Sequence, residues 1–210
     1  MKANNSTFID LGLRLNGKKI LFADRNIGAK NITDYGKHFA WADVAVRNKK
    51  KKPFNWRNCP HHKGDTWRGP FSKYNEVDGK NTLDSEDDIA SILLGKDWRM
   101  PDKEELNLLQ KSKNVKSKWV TNYQNSGING LLVTGKGEFS SASLFLPAAG
   151  DCNGASLNSV GDDGNYWSRS LSDDYPDLAF FLNFYKNGRH LRNGNRFCGF
   201  SVRPVRVVAE

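Results

Sequence analysis

The side chains with the widest chemical reach lie in the last quarter of the chain, between Gly164-Asn165-Tyr166-Trp167-Ser168 and Ser201-Val202-Arg203-Pro204-Val205. An apolar-polar alternation over Ala179 to Tyr185 predicts a strand with Leu182 and Phe184 inward, so Phe181, Asn183 and Tyr185 are expected on the opposite, solvent face. The same logic turns His190 and Arg192 outward if Arg189 and Leu191 hold scaffold positions, although Arg189 suits an inward position poorly. Asn193, Phe197, Cys198 and Phe200 interrupt the closing stretch, Asp174, Tyr175 and Asp177 are expected to line an adjacent loop, and Arg169 stands at its entry. Exposed aromatic rings give large contact area at low entropy cost, while Asn, Asp, His and Arg give adaptable hydrogen bonds. The chemistry that follows is noncovalent recognition. If these positions bind, replacing Phe181, Tyr185 and His190 together by Ala should remove binding and leave the melting temperature nearly unchanged.

Other reactive types do not assemble into a reaction center by spacing. No Ser-His-Asp or paired-carboxylate arrangement emerges, and no catalytic residue is assigned. Cys59, His61 and His62 offer metal donors, yet a fourth ligand at suitable spacing is missing and adjacent histidines rarely converge on one ion. Asp151, Asp162 and Asp163 sit in Gly-rich stretches that are expected to be plain turns. Three cysteines (Cys59, Cys152 and Cys198) cannot all pair within the chain, and no CxxC occurs. Neither a metal nor a cofactor is expected.

The elements that must hold the recognition residues are short. At 210 residues, with 38% hydrophobic and 11% aromatic side chains, the chain suits one folded domain, and 19 glycines point to many tight turns. Phe8 to Leu13 and Lys19 to Ala23 around Asn16-Gly17 predict a hairpin. A short helix is expected after Thr33, over Asp34 to Ala40. Ser85, with Asp88 three residues on, predicts a second helix burying Ile89, Ile92 and Leu93, and Pro101-Asp102 with Glu105 predicts a third, with Leu106 and Leu109 inward. Strands follow at Leu131 to Thr134 and Ser143 to Pro147, and Ser201 to Val208 closes the sheet. The net charge of +9 is concentrated locally in Arg47, Lys49 to Lys52 and Arg57. Residues 47–80 are therefore expected to form a solvated basic insertion, and nucleic acid is not the expected partner. No apolar run reaches membrane-spanning length, and Met1 to Ser6 carries no signal-peptide core, so either the chain is not secreted by that route or a leader precedes it.

The order of several short stretches resembles a known family. Asp10-Leu11-Gly12-Leu13, Asn26-Ile27-Gly28-Ala29, Asp34-Tyr35-Gly36, Phe39-Ala40-Trp41, Glu86-Asp87-Asp88, Trp98-Arg99-Met100-Pro101, Leu146-Pro147-Ala148-Ala149-Gly150, Tyr166-Trp167-Ser168 and Ser201-Val202-Arg203-Pro204-Val205 resemble the Fibrobacter succinogenes major paralogous domain. Within that group the chain is similar to the variable proteins of diversity-generating retroelements. The resemblance implies an α+β, loop-rich C-type-lectin-like fold, with antiparallel strands and two or three short helices, over residues 1–210. It also implies a variable ligand-binding segment at 165–205.

In such proteins adenine mutagenesis changes Asn codons but yields no Lys, Glu, Gln, Trp or Met. From Arg169 to Phe200 the chain has no Glu, Gln, Trp or Met and a single Lys, Lys186. The implied role is non-enzymatic binding of a surface protein or glycan, at a phage tail or bacterial surface, with ligand and oligomeric state unspecified. Two rivals share the fold. Formylglycine-generating enzymes have a segment similar to Trp98-Arg99-Met100-Pro101 but need a close carboxy-terminal cysteine pair, where this chain has Cys198 alone. Calcium-dependent lectins need Glu-Pro-Asn or Gln-Pro-Asp and Trp-Asn-Asp motifs that are absent, and the alternatives to the implied role are a formylglycine-generating-enzyme-like catalyst or a metal-independent carbohydrate-binding module.

Overall fold

Hydrogen-bonding demand and turn chemistry build the first hairpin. In the computed structural model, which describes residues 7–67, 69–111, 113 and 115–209, β1 (Phe8–Leu15) and β2 (Lys18–Ala23) pair antiparallel. Asn16 and Gly17 join them with φ of 52° and 72°, the left-handed pair that a tight two-residue turn requires. The stretch Met1 to Ser6, read above for a leader, lies outside the described residues.

Two short helices follow, each set by its cap. In α1 (Ile89–Leu94) the cap is Asp88 and not Ser85, its carboxylate accepting from the backbone N–H of Ala90 and Ser91. The helix therefore starts late and buries Ile89, whereas Ile92 and Leu93 stay about half exposed, which corrects the expected stripe. In α2 (Lys103–Leu108) Glu105 accepts from the Asp102 N–H at 2.8 Å, and Leu106 and Leu109 are buried as expected. No helix forms after Thr33. The amides there go to distant carbonyls instead, Lys37 to Ile27 and Phe39 to Phe200, so the local i to i−4 ladder never starts.

The remaining strands form open antiparallel sheets. β3 (Lys116–Val120), β4 (Gly130–Thr134) and β5 (Ser143–Pro147) make one sheet, and β6 (Asp151–Asn153) pairs with β7 (Ser156–Asn158). β8 (Asp163–Leu171), β9 (Leu178–Tyr185) and β10 (Gly188–Asn195) make another, in the order β10-β9-β8. β11 (Val205–Ala209) returns to pair with β2, so the first and last strands share a sheet. The described chain is thus a mostly antiparallel β structure with a few short helices.

Apolar cores lie on both sides of β9. Leu182 and Phe184 pack with Leu106, Leu109, Val133 and Tyr166, while Phe181 and Ala179 pack with Trp41, Trp167, Leu83 and Phe200. A central strand covered on both faces shows less alternation between apolar and polar side chains than a half-exposed one. Among the described residues no helix is long and apolar enough to cross a membrane.

The 47–80 segment is irregular, as its lack of periodicity predicts, but it is not solvated throughout. Phe54, Cys59 and Tyr74 are buried, and Arg47 pairs with Asp43 out of solvent. Its anchor is Arg196, fully buried, whose guanidinium lies 3.9 Å from the Phe71 ring centroid and 4.7 Å from that of Trp41. Nη1 donates to the carbonyls of Pro176 at 2.8 Å and Tyr74 at 3.1 Å. Ring faces and carbonyls thus take the place of a carboxylate, and burial pushes the Arg196 pKa down to about 10.

Candidate functional site

Strand register decides which side chains meet. A two-residue connection, Lys186-Asn187, sets Tyr185 opposite Gly188, and three cross-strand rows follow on one face: Asp163, Tyr185 and Gly188; Asn165, Asn183 and His190; Trp167, Phe181 and Arg192. Directly opposed residues in antiparallel strands share a face, so the alternation expected for β9 and β10 holds. Solvent does not reach all of that face. The chain after β10 folds back, and Phe200 covers Phe181 and Trp167 with ring centroids 4.6 and 4.3 Å away.

Three expected surface residues, Phe181, Asn183 and Phe200, are therefore corrected. Phe181 and Phe200 are buried members of a core. Asn183 is buried too, its Nδ2 donating to Asn165 Oδ1 at 3.0 Å, which satisfies a polar group out of water. Phe197 is half-buried against Trp56, with centroids 4.7 Å apart, and burial pushes the half-buried Cys198 thiol up to about 12. Arg169 is half-buried and pairs through Nε with Asp102 Oδ1 at 3.1 Å, tying β8 to the start of α2.

On β10 the face opens. His190 and Arg192 are exposed, and the half-buried Tyr185 brings its hydroxyl 3.5 Å from His190 Nε2. Gly188 permits this arrangement, because a Cβ there would lie 2.7 Å from the Tyr185 hydroxyl and 2.9 Å from His190 Nε2. Asp163, in the row with Tyr185, has its carboxyl held above its ordinary value by burial and by Asp162 and Asp151, with Arg192 opposing. Sequence reasoning missed Asp163 and Gly188 as members of this cluster. The signal that could have found them is the two-residue connection, from which the register can be counted.

The loop residues form a separate group. Asp174 and Tyr175, the latter 59% exposed, line a cleft of about 240 Å³ against Asn75, Lys80 and Asn81. Asp177 is half-buried, and its carbonyl accepts from the Arg196 N–H. This loop meets β9 at Leu178, whereas Tyr185 closes the other end of the strand, roughly 20 Å away at about 3.3 Å per residue. Asn193 is exposed but opposes Phe180, on the reverse face from His190. The expected single patch is thus two: the β10 face and the loop cleft.

Asp84, Glu86 and Asp87 are close enough to share a cation. That position is served by Lys73, whose Nζ lies 2.8, 2.7 and 2.6 Å from the three carboxylates. Cys59, His61 and His62 do not converge. His61 pairs with Asp87 at 3.1 Å, and His62 packs between Trp56 and Phe71.

The chain matches no family model, and neither a curated protein nor a solved structure is significantly similar to it.

Proposed function

We propose that the chain is a non-enzymatic binding domain with a C-type-lectin-like fold, which meets a surface protein or glycan through the outer face of β10. The observation that supports this most directly is the contrast along the cross-strand rows. Phe181 and Asn183 are locked in the interior, while their neighbors Arg192 and His190 stand in solvent on the same face. A packed strand alongside fixes the backbone of an exposed one, so its side chains are presented with little entropy left to lose on binding. Diversification by a retroelement, on a phage tail or a bacterial surface, belongs to the same proposal. It narrows to positions where any side chain fits, namely Asp174, Tyr175, His190, Arg192 and Asn193, since a buried ring such as Phe181 tolerates few replacements.

Two experiments test this reading. An array of glycans and surface proteins should give a ligand whose binding falls at least about tenfold in a Tyr185→Ala, His190→Ala, Arg192→Ala triple variant with a near-native melting temperature. Unchanged affinity in that variant rejects the β10 face. Sequencing of the neighboring DNA should reveal a near-copy of the coding segment for Tyr166 to Val205 that differs at adenines, and its absence rejects diversification.

A further inference from the structure

On the opposite edge of the sheet from β10, Gly150 bridges to Gly164 of β8, and beside it the chain leaves a cavity of about 310 Å³. That volume falls at the small end of the range for small-molecule sites. Tyr35, Val46 and Leu157 supply apolar walls, and the buried Phe54 forms its floor with the Arg47 guanidinium 4.9 Å from the ring centroid. Val46 and Leu157 are 56% and 46% exposed, large aliphatic side chains left uncovered around the cavity.

The lining holds Lys37, Arg47 and Lys49 and no carboxylate. Arg47 is already paired with Asp43. Lys49 is half-buried in the lining and has no carboxylate partner among the described residues, and the exposed Lys37 stands at the same cavity. Asp151, next to Cys152 on β6, accepts from Asn158 Nδ2 at 3.3 Å; it does not line the cavity, although its charge acts on His38 and Cys152 from outside it. His38 also lines it, donating from Nε2 to the Ala149 carbonyl at 2.9 Å, and burial holds its imidazole below the ordinary pKa, so it adds no charge and its one N–H is already used. A half-buried lysine among apolar side chains, with no carboxylate in the lining, is complementary to a ligand that carries one negative charge on an apolar body.

We propose that this cavity binds a small organic carboxylate with an apolar ring, Lys49 pairing with the carboxylate while Tyr35, Val46 and Leu157 flank the ring. The site is separate from the β10 face and does not depend on it.

Benzoate is the probe, titrated into the full chain and followed by amide NMR. Saturable shifts should center on Ala149, Cys152 and Leu157. Benzyl alcohol, which keeps the ring without the charge, and acetate, which keeps the charge without the ring, should each bind at least about fivefold more weakly. Lys49→Met should weaken benzoate by about fivefold or more, and Leu157→Ser should weaken it too, both with near-native melting temperatures. The exposed neighbor Lys50→Met should leave affinity unchanged. The proposal is overturned if benzoate gives no saturable shift, if the shifts center elsewhere, if benzyl alcohol binds as tightly, or if Lys49→Met and Lys50→Met behave alike.

Discussion

Two residues on one sheet face, Phe181 and Arg192, oppose each other across β9 and β10 and differ in what lies above them. Phe181 is under Phe200 and beside Trp167, so truncating it to Ala removes ring contacts and leaves a void. The expected cost is about 3–5 kcal/mol, read from denaturant unfolding. His190→Ala and Arg192→Ala remove side chains that already face water, and each should change stability by no more than about 0.5 kcal/mol. A Phe181→Ala protein as stable as the parent would mean that the ring is not buried in solution. The triple replacement expected above to spare the melting temperature must therefore omit Phe181, and Arg192 takes its place beside Tyr185 and His190 in the binding test.

At the scale of elements, the irregular 47–80 segment is held by electrostatics where periodic packing is missing. Lys73 gathers Asp84, Glu86 and Asp87, and the Asp84 carboxyl is lowered from 3.8 to about 2 by hydrogen bonds to Lys73 and Lys80. A carboxylate whose pKa falls on folding contributes stability above its ordinary value and loses it as the pH drops through the folded one. The melting temperature should therefore decline between about pH 4 and pH 2, and the decline should be shallower in Lys73→Met. Equal slopes would show that this cluster does not tie the segment down. The elements that the sequence made legible are those with local causes. Asn16-Gly17 demands a left-handed turn, Asp102 and Glu105 cap α2, and the apolar runs of β4 and β5 need a sheet. What stayed hidden depends on distant partners. Period-2 alternation puts Phe181 opposite Leu182 but cannot say that Phe200 covers it. Nothing near Arg196 in sequence announces rings at positions 41, 71 and 74.

For the whole molecule, the decisive fact is that β9 belongs to both cores at once. Leu182 and Phe184 serve the side of Leu106 and Leu109, and Phe181 serves the side of Trp41 and Leu83. The strand cannot leave one core without abandoning the other, so damage on either side should be felt by the entire fold. Leu109→Ala and Leu83→Ala lie in different cores, and each should lower a single shared midpoint, at a cost of about 2–5 kcal/mol. Far-UV circular dichroism and the fluorescence of the buried Trp41 and Trp167 should fall together in the parent and in both variants. Two separated transitions, with Leu109→Ala moving one and Leu83→Ala the other, would mean that the cores melt independently. The rigid support claimed for the exposed β10 residues would then be lost, since their backbone is steadied by a strand whose two faces must stay packed together.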